Sequence, residues 1–163
     1  MKYDNEMTLE MKATSKNESF ARVVASAFAA QLDPTISDIT DIKTAVSEAV
    51  TNAIIHGYNE EPGKGVVTLK CGIADDIIYI EVTDCGLGIP DIKEAMTPLY
   101  TSAPDDERSG MGFTIMETFM DSIEVIIFSG MSERKCTTCQ RNIADVHLNL
   151  TIVITNRMHG CRR

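Results

Sequence analysis

Glu48 and Asn52 stand four residues apart in a stretch of helical period, which sets a carboxylate and an amide on one side of the same helix. That side lies roughly 90° from the middle of the apolar stripe, at about 100° per residue, so both groups border the core. His56 continues the row. A carboxylate so placed can take a proton from an attacking hydroxyl or water. An amide oxygen is a hard ligand suited to a magnesium ion that carries phosphates. Taken alone, the pair also fits a solvated helix face with an i, i+4 hydrogen bond.

Asp84 shares parity with Ile78, Ile80 and Val82, so its side chain leaves the strand on the buried side. An unpartnered buried carboxylate is costly, and the exocyclic amine of adenine is a suitable donor to it. Gly86 and Gly88 follow and let the backbone pass close to a flat ring. A strand ending in an ordinary Asp-x-Gly turn is the plainer explanation. Further on, Gly110 and Gly112 open a helix whose first amides are unpaired and whose dipole favours anions. Ser109 is placed to cap it, and Arg108 to reach a terminal phosphate and neutralise charge in phosphoryl transfer. A flexible loop end with two glycines is the plainer reading there. In this order, the three segments supply a metal ligand, an adenine reader and a phosphate cradle, a pocket for Mg-ATP. It is neither a P-loop nor a Rossmann site.

The elements that must position these groups read as follows. Met7, Leu9 and Met11 alternate with polar residues, as in a half-buried strand. From Asn17 to Leu32 the period becomes helical, with Phe20, Val23, Val24, Ala27, Phe28 and Gln31 on one face and Asn17 or Ser15 as cap. Asp33-Pro34 breaks it. A second helix runs from about Ser37 to His56, burying Ile42, Ala45, Val46, Ala49, Val50 and Ala53, and Gly57 stops it. Strands over Val66–Ile73 and Ile77–Asp84 form a hairpin. Residues 90–109 are a polar loop of the kind that is usually functional. A third helix over Gly112–Met120, a strand over Ser122–Phe128 and alternation through Val146–Thr155 complete the chain. The order predicts an α+β, two-layer sandwich with helices on one face of a mostly antiparallel sheet.

Composition narrows the partners. The 163 residues are 44% hydrophobic and carry a net charge of -9. That content builds one good core, while the charge argues against direct nucleic-acid binding, which needs a positive field. No apolar run of about 18 residues exists to span a membrane. The polar start Met1-Lys2-Tyr3-Asp4-Asn5-Glu6 has no apolar signal region, and a soluble cytoplasmic protein is expected. The charge is uneven: residues 1–128 carry 9 Lys/Arg against 22 Asp/Glu, and residues 129–163 carry 6 against 2. Three of the five cysteines fall in that last stretch.

Glu48-x-x-x-Asn52-Ala53-x-x-His56-Gly57, Asp84-x-Gly86-x-Gly88-Ile89 and Gly110-x-Gly112-Phe113 resemble the three boxes of the GHKL (Bergerat-fold) ATPases and kinases. Asn17–Arg22, Gln31–Thr35, Val46–Tyr58 and Glu107–Glu117 are similar to the sporulation anti-sigma-F factors, serine kinases of endospore-forming bacteria. The resemblance covers roughly residues 5–127. It implies a Bergerat sandwich that binds Mg-ATP, dimerises, holds the sporulation sigma factor F inactive, and phosphorylates an anti-anti-sigma protein on serine. By position, it implies that Glu48 is the catalytic base, Asn52 the Mg²⁺ ligand and Asp84 the adenine-reading acid. Gly86, Gly88, Gly110 and Gly112 correspond to the nucleotide cradle, Arg108 to a γ-phosphate contact, and Arg22 to a partner-docking position.

After Phe128 the resemblance stops, where the charge reversal and the cysteine cluster begin. The expected division is a GHKL ATP-binding kinase domain over 1–128 and an atypical tail over 129–163, partly disordered or the product of a shifted reading frame near residue 127. The strand pattern at Val146–Thr155 is the alternative, filling the slot the family's last strand would take. Cys136, Cys139, His147, His159 and Cys161 lack the spacing of common zinc sites. Two functions stay open: an ATP-dependent kinase, and a nucleotide-dependent sigma-binding module with little or no kinase activity. A histidine kinase fits less well, since no helical hairpin carries a phosphoacceptor histidine.

Overall fold

Alternation of apolar and polar residues builds five strands, and their register explains why they stack as they do. The computed structural model describes residues 2–58, 65–86, 97, 111–129 and 148–158. The strands are β1 (Asn5–Lys12), β2 (Val66–Ala74), β3 (Ile77–Asp84), β4 (Ser122–Ser129) and β5 (Leu148–Arg157). They form one sheet in the order β1-β2-β3-β5-β4, every pair antiparallel. Two apolar rows cross all five strands. One runs Leu9, Leu69, Val82, Ile152, Val125, and the other Met7, Cys71, Ile80, Ile154, Ile123. All of these belong to the core or pack against it. A slip of one residue in β5 would turn Ile152 and Ile154 to the opposite face. Burial pushes the Cys71 thiol up to about 12, which makes it an inert core residue.

Among the described residues, three helices pack against this sheet: α1 (Ser15–Ala29), α2 (Ile36–Asn52) and α3 (Gly112–Phe119). The α+β sandwich expected from the sequence is the architecture observed. Helix α2 is central, touching both α1 and α3 as well as β3 and β5. Its start is fixed by a capping box: the Asp38 amide donates to Thr35 Oγ1, and the Thr35 amide donates to Asp38 Oδ2. The expected face of Ile42, Ala45, Val46, Ala49, Val50 and Ala53 is buried.

Helix α1 corrects the reading of its sequence. The buried residues are Ala21, Ala25, Ser26, Phe28 and Ala29, whereas Phe20 is 51% and Val23 55% exposed. Gln31 is exposed as well, bonded to Asn5 and to the Phe28 carbonyl. Alanines let α1 lie close against α2, so small size rather than hydrophobicity chose the inward face. Neither proposed cap acts as one. Thr14 holds the cap position without a side-chain bond, and Asn17 Nδ2 donates back to the Lys12 carbonyl. The helix closes through a short tight turn (Ala30–Leu32) and Asp33 in the left-handed region, φ 48°.

The second helix also differs. It does not run regularly to His56, because Ala53–Gly57 forms a wider, π-helical turn. Such turns concentrate at functional sites. The hairpin expected at Ala74-Asp75-Asp76 is present, with Asp75 at φ 53°. Apart from residue 97, the loop 90–109 lies outside the described residues, as do the tail cysteines. Among the described residues, no helix is long and apolar enough to cross a membrane.

Candidate functional site

Helix α2 and the turn that follows it carry two groups of candidate site residues, one on the helix body and one at its end. On the body, Glu48 and Asn52 face the start of α3. A Cβ added to Gly112 would stand 3.0 Å from Glu48 Oε2 and 3.3 Å from Asn52 Nδ2. The absence of that carbon is what lets the N-terminus of α3 reach the carboxylate and the amide. Met111 precedes this helix without a capping side-chain bond, and the first amides of any helix lack intrahelical acceptors. Burial raises the pKa of Glu48, and the charge of Glu18 raises it further. Glu18 belongs to α1, where Ser47 Oγ donates to its Oε1 at 2.6 Å and Arg22 Nε approaches the same oxygen at 3.5 Å.

At the end of α2 the wider turn sets Gly57 against Asp84. A Cβ on Gly57 would lie 2.7 Å from Asp84 Oδ1. Gly86 is closer still to this turn, since a Cβ there would overlap the Gly57 carbonyl. Asp84 is 1% exposed, as its parity with Ile78, Ile80 and Val82 requires. Its Oδ1 accepts the Gly86 amide at 2.9 Å. Burial pushes its pKa up to about 7, and the Gly86 hydrogen bond pulls the other way; no cation among the described residues contributes. Desolvation without a compensating cation makes this carboxyl a candidate for a functional acid.

The structure therefore brings Glu48, Asn52 and Gly112 together, and Asp84 together with Gly86. Arg22 lies on α1, 43% exposed and joined to Glu18. Gly88, Arg108, Ser109 and Gly110 lie outside the described residues. Two residues were given no site role by the sequence reading. Gly57 reads there as a helix stop, and its contact with Asp84 depends on a strand 27 residues away. Tyr58, quoted only as the last residue of the Val46–Tyr58 resemblance, accepts the Cys85 amide and donates to the Val66 carbonyl. Its signal was an aromatic hydroxyl sitting between a helix end and a turn.

The family profile of the histidine kinase-like ATPase domain matches residues 11–138. The anti-sigma F factor of Geobacillus kaustophilus is 56% identical over 86% of this chain and 94% of its own. The chain belongs to the anti-sigma F factor family. Another relative in this family, from Clostridium perfringens strain SM101, is 65% identical over 75% of this chain and 86% of its own. A crystal structure of the RsbU and RsbW domains of a Mycobacterium tuberculosis protein shares the fold, with a TM-score of 0.53 and 18% identity. That match covers 98% of this chain and 34% of the longer one. Membership of the anti-sigma F factor family, with its ATPase-type domain, is thus carried by sequence over most of the chain, and the structural likeness shows the fold.

Proposed function

We propose that this protein is an anti-sigma factor and a protein serine kinase. In this reading it binds Mg-ATP, holds the sporulation sigma factor F, and phosphorylates a serine of an anti-anti-sigma antagonist. One observation carries it furthest: α2 presents Glu48 and Asn52 to the start of α3, and its end packs against the buried Asp84.

Asp84, ionised, accepts the exocyclic amine of adenine, and the glycines at 57 and 86 let the backbone pack closely around that carboxylate. The first amides of α3 meet phosphate oxygens, as helix N-termini do. Gly88 and Gly110 extend the cradle, and Arg108 contacts the γ-phosphate. The donors fit magnesium, an oxygen-seeking ion that takes one or two protein ligands and keeps phosphates and water as the rest. Asn52 would hold it, with Glu48 beside it. When bound, the ion supplies charge neutralisation at the phosphates. Glu48 takes the proton of the attacking serine hydroxyl as its oxygen bonds to the γ-phosphorus and the bridging oxygen leaves with ADP. A carboxylate whose pKa is raised toward neutrality suits that role. Arg22 docks a protein partner, and the working form is a cytoplasmic homodimer. The proposed division is an ATP-binding kinase domain over 1–128 and an atypical tail over 129–163 that lends β5 to the domain's sheet; reading the gene's other frames past residue 127 tests the tail's origin.

The test is to mix the purified protein with labelled ATP and an anti-anti-sigma protein, and to look for phosphoserine. Transfer is expected from the wild type and not from Glu48→Gln. No transfer, with nucleotide-dependent capture of sigma factor F intact, overturns the kinase and leaves the binding module.

A further inference from the structure

Tyr58 follows Gly57 at the end of the π-helical turn, and its hydroxyl serves two distant backbone groups at once. It donates to the Val66 carbonyl at 2.9 Å and accepts the Cys85 amide at 2.9 Å. A phenol oxygen has one proton and lone pairs to spare, so both bonds form without conflict. Its ring lies against Gly65, where a Cβ would overlap it. Three segments therefore meet at one side chain: the end of α2, the first residue of β2, and the turn that follows Asp84.

Strand pairing does not do this work. The ladder between β2 and β3 ends with Val67 opposite Asp84, and that between β3 and β5 with Leu150 opposite Asp84. The Cys85 amide lies beyond both, and Tyr58 receives it. The next residue, Gly86, donates to Asp84 Oδ1 and rests on the Gly57 carbonyl. Any shift of Cys85 is passed to both.

We propose that Tyr58 is a positioning residue for purine recognition: its hydroxyl holds the Asp84–Gly86 turn in the arrangement that receives adenine. The inference rests on the nucleotide reading above. It predicts that losing one oxygen atom, at a residue outside the cleft's acids and glycines, weakens selectivity for the base and leaves the transfer step alone.

Tyr58→Phe removes that atom and keeps the ring. Titration calorimetry with ADP, ATP and GTP, and steady-state phosphorylation at varied ATP, are the measurements. Loss of the bond from the Cys85 amide to the Tyr58 hydroxyl is expected to weaken ADP and ATP about tenfold and equally, with KM for ATP following and kcat within about twofold. The preference for ATP over GTP is expected to shrink. Unchanged affinities, a fall in kcat alone, or weaker binding with an unchanged ATP-over-GTP preference each overturn the inference. Should the variant not fold, hydrogen exchange on the wild type decides. A Cys85 amide protected like its β3 neighbours supports the strap, and one exchanging at loop rates overturns it. A wild type that binds no nucleotide overturns the nucleotide reading itself and the inference with it; a binding wild type with an indifferent Tyr58→Phe overturns the inference alone.

Discussion

Asp84 works against the stability of the fold it belongs to. Its carboxyl titrates near 7 in the folded chain and near 3.8 when exposed, so folding favours the protonated form. The stabilising contribution is complete below about pH 3.8 and is lost as pH rises through about 7. Asp84→Asn keeps an oxygen for the Gly86 amide and never ionises. Thermal unfolding without nucleotide is therefore expected to show the variant more stable than wild type at pH 8, by up to about 4 kcal/mol. The gap should close toward pH 4, and ATP affinity should fall at least about tenfold. A variant less stable at pH 8, or one that binds ATP normally, contradicts the role given to this acid. Glu48 answers to a different measurement. As the proposed base it must be deprotonated, so phosphoryl transfer is expected to rise with pH through a pKa held above 4.5 by burial and by Glu18. Glu18→Gln removes the second cause and is expected to move that acidic limb to lower pH, read from kcat against pH.

Elements decide how accurately these groups meet. The π-helical turn delivers Gly57 to Asp84, and a Cβ there would press on the carboxylate at 2.7 Å. Gly57→Ala is expected to cost about 1–3 kcal/mol of stability by overpacking and to weaken ATP binding as well. The capping box at the far end of α2 separates folding from function. Thr35→Ala should cost about 1 kcal/mol in denaturant unfolding and leave nucleotide affinity unchanged. Helix α1 offers the clearest contrast with its sequence pattern. Enlarging a buried position, as in Ala25→Leu, should cost about 1–3 kcal/mol. Removing the large exposed ring in Phe20→Ala should change stability by less than about 0.5 kcal/mol.

For the whole molecule, the question is what closes the sheet. Strand β5 comes from the stretch whose charge and cysteine content differ from the rest, yet it lies between β3 and β4 and pairs with both. Ile152 and Ile154 occupy the two rows that cross the sheet. Ending the chain after Ser129 would leave the facing edges of β3 and β4 without a partner and open the core beneath them. Such a chain is expected to lose its cooperative unfolding transition by circular dichroism. A truncated protein that melts cooperatively near the wild-type temperature would show that β5 is dispensable.

Local order was written plainly in the sequence. Period-two alternation located the strands and the inward side of Asp84, and the i, i+4 spacing placed Glu48 beside Asn52 at the margin of the core, because both depend only on backbone geometry. The apolar face of α2 was legible for the same reason. What tertiary structure alone decided were matters of fit between segments far apart in the chain: the alanine face of α1, the use of Gly57 as clearance for a carboxylate, the two bonds of Tyr58, and the seat of β5. Spacing along a chain reports which way a side chain points; which neighbour it meets, and how closely, is settled only when separate segments compete for the same volume.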